Sequence, residues 1–204
     1  MSRLWPILFS VIFFFGACTC GPDIETLDEN QLLLSYQDLK VVYNKDQGGW
    51  IGQIQFKEQN VFLSCQDQFP SLERSYRNSP TSIVHDNESV FARTFHDNPK
   101  LSVNRSFLLK DNTLELNWKM KNSGDENLEG AFELKIELAS PARLKTQGLS
   151  TLLILKNGIQ VEIQNDRAQK FSLNNTLLTI SDPVAQTIKP LHRSSQKISF
   201  KFSN

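Results

Sequence analysis

The chain has 204 residues, and its 22 Lys and Arg residues balance its 22 Asp and Glu residues, so the formal net charge at pH 7 is zero. Because nucleic-acid-binding surfaces are strongly basic, this balance and the lack of basic runs argue against a nucleic-acid partner. The length suits one domain with a substantial core, for which 14 Phe and 3 Trp supply large apolar side chains.

The N-terminus has the three parts of an export signal. A basic residue, Arg3, precedes an apolar run from Leu4 to Phe15, and the small residues Gly16 and Ala17 follow. We therefore expect residues 1–17 to be a signal peptide. The run is shorter than the roughly 20 apolar residues that a membrane-spanning helix needs, which makes an uncleaved anchor the weaker alternative.

The residues after the apolar run, Phe15-Gly16-Ala17-Cys18, resemble the lipobox of bacterial lipoproteins. This resemblance implies that Cys18 becomes the new N-terminus and carries lipid. The protein would then be exported to the bacterial cell envelope and attached to the membrane through a lipid anchor. The alternative is a secreted, soluble protein that is cut after Cys18.

Two further cysteines, Cys20 and Cys65, would share a compartment that permits disulfides. A bridge between them is one possibility, and a buried free thiol at Cys65 is the other. The sequence has no Cys-x-x-Cys motif and no Cys/His cluster, so we expect neither a zinc site nor another cofactor.

Residues 21–30, "GPDIETLDEN", are polar and acidic and have no hydrophobic period. We expect residues 18–30 to form a lipidated tether and residues 31–204 to form a single domain.

Within that domain, alternation of apolar and polar residues predicts β-strands. Hairpins are expected around residues 45–49, at Lys110-Asp111-Asn112 and at Asn157-Gly158, where turn-forming residues separate alternating segments. The last segment, "KISFKF", places Ile198, Phe200 and Phe202 on one face.

The segments "LELNWKMK" and "LEGAFELKIEL" alternate most clearly, and six turn-forming residues, "NSGDEN", lie between them. We expect the two segments to pair as one hairpin with a dry face that includes Trp118. The glutamates Glu129, Glu133 and Glu137 lie on the opposite face; paired carboxylates can perform acid–base chemistry, but a solvated strand face is the simpler interpretation.

The stretch from Gln66 to Pro99 is polar and irregular, and it predicts a long excursion over one sheet. At least nine short strands and no segment with a helical period predict an all-β fold. The expected architecture is a large antiparallel two-sheet β-sandwich with little helix.

Two segments, "YNKDQGGWIGQIQFKEQNVF" and "NRSFLLKDNTLELNWKMKNSGDENLEGAFELKIEL", resemble the galactose-mutarotase-like sandwich. This large fold serves sugar epimerases and non-catalytic domains of glycoside-active enzymes. The second segment is most similar to the C-terminal sandwich domain of bacterial α-amylase and 4-α-glucanotransferase relatives. The resemblance implies a supersandwich fold and a role connected with carbohydrate.

The resemblance does not supply catalytic residues. Active mutarotases are longer and use a His as general acid and a Glu as general base. The three histidines of this chain, His85, His96 and His192, lie outside the segments that resemble the family. We therefore assign no catalytic residue.

Three residues are candidates for binding a ligand. His96 and Asp97, in "TFHDNPK", could hold a sugar by hydrogen bonds, hold a metal, or simply form a polar turn. Trp50 follows two glycines and could stack on a pyranose ring or begin a strand in the core.

The sequence thus favours a membrane-tethered, non-catalytic β-sandwich that binds oligosaccharide or assists glycan metabolism at the cell envelope. One alternative is a reduced aldose-epimerase-like enzyme that uses His96 or His85. The other is a structural lipoprotein that docks another envelope protein.

Overall fold

The computed structural model describes residues 22–45, 50–68, 81–86, 89–97, 100–147 and 150–204, with backbone alone for Trp50, Thr81, His96, Asp97 and Gln147. All regular structure in these ranges is β-strand, and two antiparallel eight-stranded sheets form a sandwich. No helix in the described ranges has the length and apolar character needed to cross a membrane. The predicted large two-sheet β-sandwich is confirmed.

The first sheet is built mainly from the N-terminal part of the chain. Its strands, in spatial order, are β1 (Asp23–Thr26), β2 (Gln31–Tyr36), β3 (Leu39–Asn44), β4 (Trp50–Phe56), β5 (Gln59–Gln68), β11 (Glu133–Leu138), β16 (Leu177–Ser181) and β15 (Lys170–Asn174).

The second sheet combines the middle of the chain with its C-terminal strand. Its strands, in spatial order, are β12 (Ala142–Gln147), β13 (Ser150–Leu155), β14 (Gln160–Asn165), β18 (Arg193–Ser203), β9 (Thr113–Asn122), β8 (Lys100–Lys110), β7 (Ser89–Asp97) and β6 (Thr81–His85). A separate pair joins β10 (Leu128–Gly130) to β17 (Gln186–Ile188).

The core lies between the two sheets and is rich in aromatic contacts. The ring centroids of Phe62 on β5 and Phe200 on β18 are 5.5 Å apart, and those of Phe56 and Phe202 are 5.9 Å apart. Burying a Phe side chain fully stabilises the fold by about 1.5–3 kcal/mol. The predicted dry face of the last strand is confirmed, because Ile198, Phe200 and Phe202 are all buried.

The three simple hairpins also form where the turn residues place them. Asp111 and Asn112 have φ values of 48° and 55°, as a two-residue type I′ turn between β8 and β9 requires. Gly158, with φ of 90°, lies in the turn between β13 and β14. Strands β3 and β4 pair across residues 45–49, of which 46–49 lie outside the described residues.

The expected hairpin between "LELNWKMK" and "LEGAFELKIEL" is wrong, because β9 and β11 belong to different sheets. The buried side chain of Asn122 organises the crossing: its amide donates to the carbonyls of Glu126 and Ile188. The dry faces of the two segments meet across the core, where the ring centroids of Trp118 on β9 and Phe132, directly before β11, lie 4.8 Å apart. Alternation shows which face is dry, but a sandwich can bury two such faces against each other instead of side by side.

Two other boundaries also differ from expectation. The stretch 66–99 is not one excursion, since it contains the end of β5 and all of β6 and β7, which pair antiparallel. Strand β1 lies inside the expected tether and pairs with β2, so the sandwich begins before Gln31. Three of its four side chains are exposed, and such an edge strand shows little hydrophobic alternation.

Candidate functional site

The structure places the backbones of the three candidate ligand residues in two different sheets. Trp50 begins β4 in the first sheet, opposite Asn44, whereas His96 and Asp97 end β7 in the second. Their side chains lie outside the described part of the molecule, so their roles in binding stay predictions.

Of the three cysteines, the structure describes only Cys65. Cys18 and Cys20 lie outside the described residues, and lipid attachment and the bridge between Cys20 and Cys65 remain predictions. The thiol of Cys65 on β5 is 4 % exposed. Burial, and secondarily the nearby carboxylate of Asp67, raises the pKa of this thiol. Cys65 therefore has the character of an unreactive core residue.

The polar side chains beside His85 and on β11 form hydrogen bonds and ion pairs that are typical of turns and of exposed strand faces. The side chain of Asp86, beside exposed His85, accepts hydrogen bonds from the backbone N–H and hydroxyl of Ser89 at 2.8 and 2.9 Å, across the β6–β7 turn. On β11, Glu133 is paired with Lys135 at 3.6 Å on a partly exposed strand face.

A groove of about 400 Å³ lies on the outer face of the second sheet, away from the core. It crosses β6, β7, β8 and β9. Its lining residues are Ser82, Val84, Phe91, Ala92, Arg93, Asn104, Arg105, Ser106, Asn117 and Lys119.

Strand β7 explains why this face carries apolar and aromatic groups. Its inward positions hold the small residues Ala92 and Thr94, which are buried, while Phe91 and Phe95 on the outward positions are 43 % and 44 % exposed. Val84 on β6 lies directly opposite Phe91 and is also exposed. The outward row of β7 thus presents an apolar platform to solvent.

Register aligns the polar lining residues beside this platform. Phe91 is opposite Ser106, which is opposite Asn117 on β9. These hydroxyl and amide groups can both donate and accept hydrogen bonds. The groove therefore places an exposed aromatic ring beside polar side chains on the neighbouring strands.

A neighbouring cross-strand row adds positive charge. Arg93 is opposite Asn104, which is opposite Lys119. The Arg93 guanidinium carbon lies 4.5 Å from the centroid of the Phe95 ring, a cation–π arrangement. The described lining residues include these cations and no carboxylate.

A buried polar cluster supports the strands of the groove from the inner side. Arg105 on β8 lies 3.3 Å from the carboxylate of Asp67 on β5 and also donates to the hydroxyl of Thr94. The indole N–H of Trp118 donates to the same carboxylate at 2.8 Å. The cluster joins the two sheets, because Asp67 belongs to the first and the other three to the second.

The hydroxyl of Tyr43 lies near this cluster, and burial raises its pKa. Trp118 itself is 2 % exposed, which confirms its expected place in the core.

The sequence matches no protein-family model and no curated protein. Solved structures do match. A galactose mutarotase-like protein from Clostridium acetobutylicum has a TM-score of 0.63 at 9 % identity, over 90 % of this chain and 98 % of its own. A galactose mutarotase related enzyme from Lactobacillus acidophilus has a TM-score of 0.58 at 12 % identity, and the match covers 85 % of this chain and 97 % of that enzyme.

A third match is the 4-alpha-glucanotransferase from Thermococcus litoralis, with a TM-score of 0.62 and 11 % identity. The match covers 88 % of this chain and 39 % of the glucanotransferase, so this chain is similar to one part of that enzyme. The chain has the galactose-mutarotase-like sandwich fold, as the sequence resemblance implied.

The groove residues were not among the candidates drawn from the sequence. The available signal was "SVFARTFHD", in which two Phe residues alternate with Ala and Thr. This signal is weak, because such a strand has no obvious dry face and its alternation does not show which of the two rows faces solvent.

Proposed function

We propose that the protein is a non-catalytic, membrane-tethered module that binds oligosaccharide in the groove on the outer face of the second sheet. The observation that carries this proposal is the exposed ring of Phe91, set beside Ser106 and Asn117 in one cross-strand row. The fold supports it, because solved structures with this fold include galactose mutarotase-like proteins and a 4-alpha-glucanotransferase.

The chemistry of the groove suits a sugar ring. A pyranose has an apolar face of C–H groups, which can pack on the Phe91 ring, and an equatorial rim of hydroxyls, which can reach the amides of Asn104 and Asn117. The groove volume, about 400 Å³, lies within the range of small-ligand sites, about 300–1,000 Å³. Its open shape on a sheet surface suits part of a longer glycan chain.

Binding of the purified protein to a panel of neutral and acidic oligosaccharides tests this function. We expect Phe91→Ala to weaken binding at least about tenfold, or about 1.4 kcal/mol. The fold should be unaffected, because exposed substitutions usually change stability by less than about 0.5 kcal/mol. Val184→Ala is the matched control: Val184 is 73 % exposed in the loop between β16 and β17, outside the groove.

Unchanged glycan binding in Phe91→Ala contradicts the groove as the binding site. If no oligosaccharide binds the wild-type protein, the function itself is wrong, and a structural role in docking another envelope protein replaces it.

The non-catalytic part of the proposal has a separate test. The described lining residues offer hydrogen bonds, charge and an aromatic face, whereas an epimerase needs a general acid and a general base. We expect no acceleration of anomer exchange in aldoses, measured by NMR saturation transfer. Acceleration that is lost in His96→Ala would instead favour the aldose-epimerase-like alternative.

The membrane tether depends on Cys18. Metabolic labelling with a fatty acid should mark the wild-type protein and not Cys18→Ser. An unlabelled wild-type protein would contradict the lipid anchor and leave the secreted, soluble form or an uncleaved anchor as the alternatives, whereas label that persists in Cys18→Ser would place the acyl group on another residue.

A further inference from the structure

The cations of the groove differ from others on the same sheet face. Lys197 on β18 is paired with Glu115 on β9 at 2.8 Å. Arg93 and Lys119, by contrast, have no ion pair with any residue in the described ranges. Among the side chains that the structure describes, no carboxylate neutralises the positive charge at this end of the outer face.

The positive charge continues into the next cross-strand row. Lys121 on β9 lies between the buried residues Met120 and Asn122 and thus faces outward. The exposed residue Arg193 on β18 lies directly opposite it, on the same face. Like charges directly opposite each other destabilise a sheet. A bound anion would remove that repulsion, whereas stability alone gives no reason for the arrangement.

Arg93 is held in a conformation that suits recognition of an anion. Its guanidinium stacks on Phe95 at 4.5 Å, which restricts the side chain and leaves the N–H groups at the guanidinium edge able to donate. Lys119 lies two strands away in the same row, about 10 Å along the sheet, since neighbouring strands are about 4.8 Å apart. A sugar ring fits between the two cations.

We propose that the saccharide bound in this groove is acidic, and that Arg93 and Lys119 bind its carboxylate or sulfate groups. The inference rests on the proposed function, because Phe91 must hold the sugar ring beside these cations. Charge-assisted hydrogen bonds to acidic groups would then select charged glycans over neutral ones with the same ring.

Matched pairs of ligands test the inference. The first pair is oligogalacturonate and its methyl ester, which has the same sugars and linkages without the charge. The second pair is a sulfated oligosaccharide and its desulfated form. We expect the acidic member of at least one pair to bind at least about tenfold more tightly, and this preference to weaken as NaCl is raised. Which pair responds distinguishes a carboxylate from a sulfate.

Substitution of the two groove cations tests whether they cause the preference for acidic ligands. In Arg93→Gln/Lys119→Gln the acidic preference should fall to nearly none, while binding of the uncharged member remains. Lys170→Gln is the matched control, because Lys170 is an exposed cation on β15 of the other sheet. It should keep the full preference.

The outcomes separate the two proposals. Equal, Phe91-dependent binding of the acidic and uncharged members overturns the acidic ligand and leaves saccharide binding intact. An acidic preference that survives in the double variant also overturns the inference. If no member of either pair binds and no neutral oligosaccharide binds, saccharide binding fails as well.

Discussion

Arg93 and Arg105 lie on neighbouring strands of the second sheet, yet they face opposite sides of it. Arg105 is 2 % exposed and lies 3.3 Å from the carboxylate of Asp67, in the core between the sheets. Arg93 is exposed and stacks on Phe95. A buried charge must be paired because desolvation is costly, whereas an exposed charge can remain unpaired at little cost and is available to a ligand.

The comparison therefore separates stability from recognition within one sheet. The inner face of β7, β8 and β9 is where substitutions should destabilise the fold. On the outer face, substitutions should change binding and leave the fold intact.

The largest effect is expected for Arg105→Met. This substitution leaves the Asp67 carboxylate buried without its cation, which costs about 3–5 kcal/mol in comparable pairs. Arg93→Gln should change stability by less than about 0.5 kcal/mol. Urea denaturation of the two variants measures both values, and similar losses would remove the distinction between the faces.

Trp118→Phe should have the next largest effect on stability. It keeps much of the aromatic packing but removes the N–H that donates to Asp67 at 2.8 Å, and an unsatisfied buried acceptor costs about 1–3 kcal/mol. In an Asp67→Leu background, Trp118→Phe should lower the free energy of unfolding by less, because the carboxylate that accepts this hydrogen bond is absent. Equal costs in the two backgrounds would show that this hydrogen bond contributes nothing.

The reactivity of Cys65 tests how closed the inner face is. In Cys18→Ser/Cys20→Ser, Cys65 is the sole cysteine. Because burial hides the thiol and raises its pKa, iodoacetamide should modify it far more slowly in the folded protein than in urea. Rapid modification of the folded protein would mean that the core opens near Asp67.

The wild-type protein answers the disulfide question by the same chemistry. A Cys20–Cys65 bridge would block modification of Cys65 in urea until a reductant is added. Modification without reductant would favour the buried free thiol.

The smallest expected effect on stability is that of a substitution at Glu162, which lies on β14, on the outer face away from the groove. Hydrogen bonds from Gln164 and Ser150, both 3.0 Å long, hold the pKa of this carboxyl below its usual value. A depressed folded-state pKa contributes stability above the unfolded-state pKa, about 4.3, and this contribution is lost as the pH falls through the folded value. The stability difference between wild type and Glu162→Gln should therefore be greater at pH 7 than near pH 3. A difference independent of pH would contradict this cause.

Several parts of the fold were predictable because they depend on local chemistry. The turn at Asn157-Gly158 needs a residue that tolerates positive φ, and the dry face of β18 follows from strict alternation. The partner of each strand was not predictable in the same way. Strands β9 and β11 have equally clear dry faces, and nothing local distinguishes pairing in one sheet from packing across the core.

The groove was hidden for a related reason. In β7 the aromatic residues Phe91 and Phe95 face solvent, while Ala92 and Thr94 face inward, where Thr94 accepts a hydrogen bond from the large side chain of Arg105. The inward position of Arg105 depends on its contact with Asp67, which lies on another strand and 38 residues earlier in the sequence. Alternation alone therefore could not show which row of β7 is exposed.

The most direct test of the groove is to map glycan binding by NMR, using backbone amide shifts of the isotope-labelled protein titrated with the tightest ligand from the panel. We predict that the largest shifts cluster on the facing positions of β7, β8 and β9, around Phe91, Asn104 and Lys119. Shifts confined to the first sheet, near Trp50, would contradict the groove as the binding site.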